Sequence, residues 1–124
     1  MSNYILIAIG GAAGSVARYA VAAAIQSRFP SSFPMGTFVV NVSGCLAMGL
    51  VASLLLDRLG TSSGLRVLLA IGFLGAYTTF STFELETFRA VTARAWFVGS
   101  ANVVGSVVAG YCALWAGIAL GRLL

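Results

Sequence analysis

The stretch Gly72-Phe73-Leu74-Gly75-Ala76-Tyr77-Thr78-Thr79-Phe80-Ser81-Thr82-Phe83 lies inside an apolar run that covers about 65–88. A run of that length crosses a hydrocarbon core of ~30 Å as a helix. This one carries its own interruption. Gly72 and Gly75 weaken a helix, and Thr78, Thr79, Ser81 and Thr82 compete for its backbone hydrogen bonds. The stretch therefore predicts a helix broken near mid-membrane. Such breaks survive in lipid only when buried in protein or lining a cavity. Carbonyls freed at a break can coordinate a cation, and hydroxyls can donate to an anion. Phe80 and Phe83 sit beside the break. An aromatic ring has a positive edge, which can meet a small anion without a trapping charge. Taken alone, two such phenylalanines also fit an ordinary core.

Three further apolar runs flank this one, over about 4–26, 36–56 and 95–120. None shows the period-two alternation of a barrel strand, so the fold class is an all-α membrane protein with four transmembrane helices in a single domain. The composition agrees. Of 124 residues, 60 % are hydrophobic and 8 % charged, too few charges to coat a soluble fold. Disorder is excluded by the same hydrophobicity. The first run is read as a span and not as a cleaved leader, although Ala22-Ala23-Ala24 resembles a cleavage site. Met1-Ser2-Asn3 holds no basic residue and Arg18 interrupts the run.

Absences exclude much enzyme chemistry. The chain has no His and no Lys, and its acids are Asp57, Glu84 and Glu86. A histidine acid/base, a Schiff-base lysine and a His/Cys zinc site are therefore unavailable. The net charge of +4 comes from scattered arginines near the ends of apolar runs, where snorkelling to headgroups explains them better than nucleic acid does. Cys45 and Cys112 lie in apolar runs and read as small hydrophobes. Gly10-Gly11-Ala12-Ala13-Gly14 follows no strand and is not read as a nucleotide loop. It reads instead as close helix packing, as do Cys45 with Gly49, Gly72 with Ala76, and Gly105 with Ala109.

The arginines choose no side of the membrane. Arg58, Arg66 and Arg122 face Arg28, Arg89 and Arg94, three against three, with Arg18 inside the first run. Without a positive-inside bias a chain inserts both ways, and two opposed copies can pair about a two-fold axis. An antiparallel homodimer is the expectation. Other polar residues stand where lipid disfavours them. Thr37 and Asn41 lie one turn apart in the second run, and Asn102, Ser106 and Gly110 recur on one face of the fourth. They fit a wet path or hydrogen bonds between helices. Arg18 and Glu86 fit a vestibule or simple snorkelling.

The pattern from Gly10 to Tyr19, then Gly36-Thr37 with Asn41 and Gly44, then Gly72-Phe73-Leu74-Gly75 with Thr78-Thr79-Phe80-Ser81-Thr82-Phe83 and Glu86, resembles the Fluc family of microbial fluoride channels. The resemblance covers the whole chain. It implies a multi-pass protein of the cell membrane, an antiparallel dual-topology dimer with two fluoride pores, and a central structural Na⁺. It also implies pore roles for Asn41, Phe80, Phe83 and Ser106, and backbone carbonyls of Gly75 and Thr78 as Na⁺ ligands. The residues themselves add Thr37, Ser81 and Thr82 as hydroxyl donors along that path. Some members carry a tyrosine and a second serine where this chain has Asn102 and Gly110. The strongest rival is a dual-topology multidrug exporter, which needs a carboxylate in the first helix, where this chain has only Arg18. An accessory subunit without transport would leave the broken third helix unexplained.

Overall fold

Four helices long and apolar enough to cross a membrane make up the computed structural model: Asn3–Arg28, Met35–Leu55, Gly64–Thr92 and Trp96–Leu123. It describes residues 1–58 and 63–124. Helix α1 is Asn3–Arg28, and α2 is Met35–Val51, continued by a wider-wound segment over Ala52–Arg58. Helix α3 begins at Ser63–Arg66, widens over Val67–Leu74 and closes with Gly75–Tyr77. Helix α4 is Phe80–Thr92, and α5 is Trp96–Leu123. Residues 59–62, within the Gly/Ser/Thr-rich stretch 57–64 that follows the second run, lie outside the described residues.

The break falls at Thr78 and Thr79, whose backbones are extended (φ −80°, ψ 156° and φ −146°, ψ 118°). Thr78 is the midpoint of the span Gly64–Thr92. Gly72 and Gly75 both remain helical, Gly72 within the wider-wound segment and Gly75 in the last turn before the break, so neither residue is where the helix ends. The threonines end it instead. The Thr78 hydroxyl bonds back to the Leu74 carbonyl at 3.1 Å. The Thr79 hydroxyl accepts from the Thr82 N–H at 3.3 Å and so caps the start of α4. The lower half of the run also extends past its expected end at 88. Helix α4 reaches Thr92 and closes with Arg94 at φ 60°, whose N–H donates to the Val91 carbonyl while that of Ala95 donates to Ala90.

Few large side chains are buried. Val40, Val67, Leu74 and Phe83 are the buried hydrophobics among the described residues, while residues such as Val104, Val107 and Trp115 point outward. Lipid is as apolar as a core, so helix association here depends on close backbone contact. Helix α1 lies along α3, and α2 lies along α5. An added Cβ at Gly14 would strike the Phe73 carbonyl oxygen, and one at Gly10 the Leu68 carbonyl oxygen. Gly49 and Gly117 let α2 and α5 approach in the same way, through Leu114 and Leu46 carbonyls. Gly105 differs from the sequence expectation, since nothing lies within 4 Å of a Cβ there.

The contrast within the first glycine cluster gives a direct test. Gly14→Val should destabilise the purified protein by about 1–3 kcal/mol or more, because the obstacle is backbone. At Gly11 an added Cβ meets Ala76 Cβ at an ordinary 4.0 Å. Gly11→Ala should therefore leave thermal unfolding in detergent unchanged or slightly raised, helped by helix propensity of up to ~1 kcal/mol.

Candidate functional site

The break is held by one side chain. Asn41, on α2, accepts from the Thr79 N–H through Oδ1 at 2.8 Å and donates through Nδ2 to the Thr79 carbonyl at 3.0 Å. The two bonds satisfy both backbone groups of the residue that leaves the helix. In lipid those groups would otherwise cost several kcal/mol. They also divert the Thr79 N–H, the donor that a continuous helix would present to the Gly75 carbonyl. An amide nitrogen has two hydrogens, so Nδ2 retains one beyond the bond to Thr79. Gly44 lets α2 reach the break, for a Cβ there would fall on the Thr78 methyl.

Two hollows meet the break. One, of about 200 Å³, is lined by Asn41, Cys45, Thr78, Thr79 and Phe80. The other, of about 270 Å³, includes Arg18 and Tyr19 from α1, Thr37 and Val40 from α2, and Thr79 and Thr82. Arg18 thus faces a hydroxyl-lined space in the bundle. Thr82 accepts a hydrogen bond from the Thr79 hydroxyl at 3.0 Å, whereas Ser81 is exposed on the outside of α4.

A polar line runs on from there. The Thr37 hydroxyl donates to Glu86 Oε1 at 2.8 Å, joining α2 to α4. Glu86 Oε2 is buried with no partner among the described residues. Beside it, the Asn102 amide donates to the Thr87 hydroxyl at 2.9 Å, and the Ser106 hydroxyl donates to Asn102 Oδ1 at 3.2 Å. Asn102 is 2 % exposed. The i, i+4 face of α5 therefore points inward, with Gly110 set against Cys45 of α2. Thr87 is absent from the sequence-derived site. Its position next to Glu86, one helix turn beyond Phe83, was the available signal.

The two phenylalanines part company. Their ring centroids are 5.7 Å apart and tilted by 42°. Phe83 is 6 % exposed, but Phe80 is 74 % exposed. Gly75, on the other side of the break, is exposed as well. A single chain thus brings Arg18, Thr37 and Thr82 to one hollow and Asn41, Thr78 and Phe80 to another, ties Glu86 to Thr37, holds Ser106 on Asn102 and buries Phe83, while Phe80, Gly75 and Ser81 are exposed.

The family described as CrcB-like protein, Camphor Resistance (CrcB), matches residues 5–118. A protein named fluoride-specific ion channel FluC from Solibacter usitatus is 54 % identical over 120 residues, covering 97 % of this chain and 98 % of its own. Its namesake from Maridesulfovibrio salexigens is 44 % identical over 124 residues, covering 100 % and 98 %. One from Chloroflexus aurantiacus is 41 % identical over 122 residues, covering 98 % and 97 %.

Proposed function

The chain belongs to the CrcB-like family, and from that premise we propose that it is a fluoride-selective channel through which fluoride leaves the cell down its gradient. The observation that carries the reading is the mid-span break of Thr78 and Thr79, clamped by Asn41 and continued by a line of hydroxyl and amide groups. Fluoride is small and tightly hydrated, so entry requires groups that replace its water. Thr82, which accepts from Thr79, and the exposed Ser81 offer their O–H groups, and Asn41 offers its remaining N–H, whereas the O–H groups of Thr37 and Ser106 are given to Glu86 and Asn102 and must turn from them to serve the ion. Arg18 and Glu86 flank a vestibule. The ring edges of Phe80 and Phe83 then face the ion with fields too weak to trap it. Chloride is larger and makes poorer use of closely spaced donors.

Two copies complete the path. The outward Phe80 and the exposed Gly75 lie on the surface that an opposed subunit covers, and the balanced arginines permit both orientations. The reading is an antiparallel homodimer with two pores. The Gly75 and Thr78 carbonyls fit a structural Na⁺, since the donor owed to Gly75 is spent on Asn41 and carbonyls without a carboxylate suit a monovalent ion. When bound, that ion supplies a positive charge that ties the two breaks together. Replacing Na⁺ with a large organic cation should lower flux or dimer stability, as measured by size exclusion and liposome efflux. Unchanged values after exhaustive Na⁺ removal would exclude the site.

In a bacterial host lacking its own fluoride export, production of this chain should restore growth in fluoride. Failure to restore growth when the chain reaches the membrane would contradict the reading.

A further inference from the structure

Beyond the polar line, a hollow of about 320 Å³ opens where α4 and α5 meet the α1–α2 connection, lined by Ser32, Pro34, Glu86, Arg89, Ala93 and Val98. Glu86 belongs both to this hollow and to the bond with Thr37, so it joins the hollow to the proposed path. Its Oε2 is buried with no partner among the described residues. When ionised, a carboxylate there repels an approaching anion. Arg89 lies three residues on, on the same side of α4. It is exposed and lines the same hollow as Glu86. No side-chain hydrogen bond or ion pair of Arg89 occurs among the described residues, so its guanidinium remains available to the hollow.

We propose that Arg89 is the anion-gathering residue at the mouth of the path, where its charge offsets that of Glu86 and draws small monovalent anions into the hollow. The inference rests on the channel reading above. It assigns Arg89 to the rate of entry and not to selectivity, because the groups proposed to replace the water of the ion, Asn41 with Phe80 and Phe83, stand at or beside the break and not at Arg89. An arginine paired with a carboxylate for structural reasons has a different signature. It would matter equally at all ionic strengths, whereas a gathering charge fades as salt shortens the Debye length from ~30 Å at 0.01 M to ~3 Å at 1 M.

The experiment is initial fluoride efflux from liposomes containing the wild-type chain, Arg89→Gln, Arg89→Glu or Arg89→Lys, in about 0.01 M and about 1 M impermeant salt. At low salt, Arg89→Gln should be slower by roughly threefold to tenfold and Arg89→Glu slower still, while Arg89→Lys stays near wild type. At high salt the four should converge. Wild-type rates for Arg89→Gln and Arg89→Glu at low salt would overturn the proposal and leave the channel reading intact. So would deficits that persist at high salt and extend to Arg89→Lys, which would mark a structural role. Absence of wild-type fluoride efflux would overturn both.

Discussion

Phe80→Ile protein should fold and elute as the wild type does, yet carry fluoride at least roughly thirtyfold more slowly. The stability half of this expectation follows from exposure. Phe80 is 74 % exposed on the single chain, so the fold of the subunit loses little when the ring is removed, and isoleucine keeps an apolar side chain on the face that the opposed subunit covers. The flux half follows from the ring's quadrupole. An isoleucine has no positive edge to turn toward an anion. A desolvated ion meeting an aromatic ring is worth about 2 kcal/mol or more by analogy with cations over ring faces. Losing that much from the barrier is a factor of roughly thirty in rate. Phe83→Ile should show both losses, because Phe83 is 6 % exposed and its truncation also costs about 1–3 kcal/mol of stability. Phe80→Met should be milder, since a polarisable thioether partly replaces the ring. Wild-type flux in Phe80→Ile would remove that ring from the path.

Asn41→Asp should abolish conduction more completely. The amide both accepts from and donates to Thr79, at 2.8 Å and 3.0 Å. A carboxylate keeps the first bond, loses the second, and sets an oxygen against the Thr79 carbonyl. The break loosens by about 1–3 kcal/mol for the unsatisfied group. The new charge also repels fluoride. At 4 Å and an effective dielectric near 20 that repulsion is about 4 kcal/mol, or roughly a thousandfold in rate. Asn41→Ala separates the two effects, for it loses the clamp without adding charge. It should unfold at lower temperature and retain more flux per folded protein than Asn41→Asp. If Asn41→Asp conducts normally, Asn41 neither clamps a functional break nor faces the ion.

The four helices were legible because lipid imposes length and apolarity on any span, and the runs meet both conditions. The break and its mid-membrane place within Gly72–Phe83 were legible from the threonines, but which residues end the helix was not. Gly72 and Gly75 look like helix breakers in one dimension, and Gly72 proves to face Gly10 across a close packing contact, with an added Cβ 3.2 Å from Gly10 Cα. Asn41 posed a choice between a bond within the protein and a donor to an ion. Its two bonds to Thr79 leave one N–H, so both uses are compatible. Spacing could not separate Phe80 from Phe83, since three residues of helix carry one ring into the bundle and leave the other on its surface. Asn102 shares a face of the fourth helix with Ser106, where some members of the family carry a tyrosine. In the fold it joins Ser106 to Thr87 and continues the line. Thr87 was marked only by its place one helix turn beyond Phe83.

Fluoride-selective conduction is the claim on which the rest depends, and ion efflux from liposomes tests it most directly. Vesicles loaded with both fluoride and chloride, and carrying the purified chain, are diluted into medium free of both while an ion-specific electrode follows each. Fluoride should leave rapidly once charge is compensated by an ionophore, while chloride stays at the rate of protein-free vesicles. Fluoride release no faster than from protein-free vesicles, or chloride release keeping pace with it, would contradict the account.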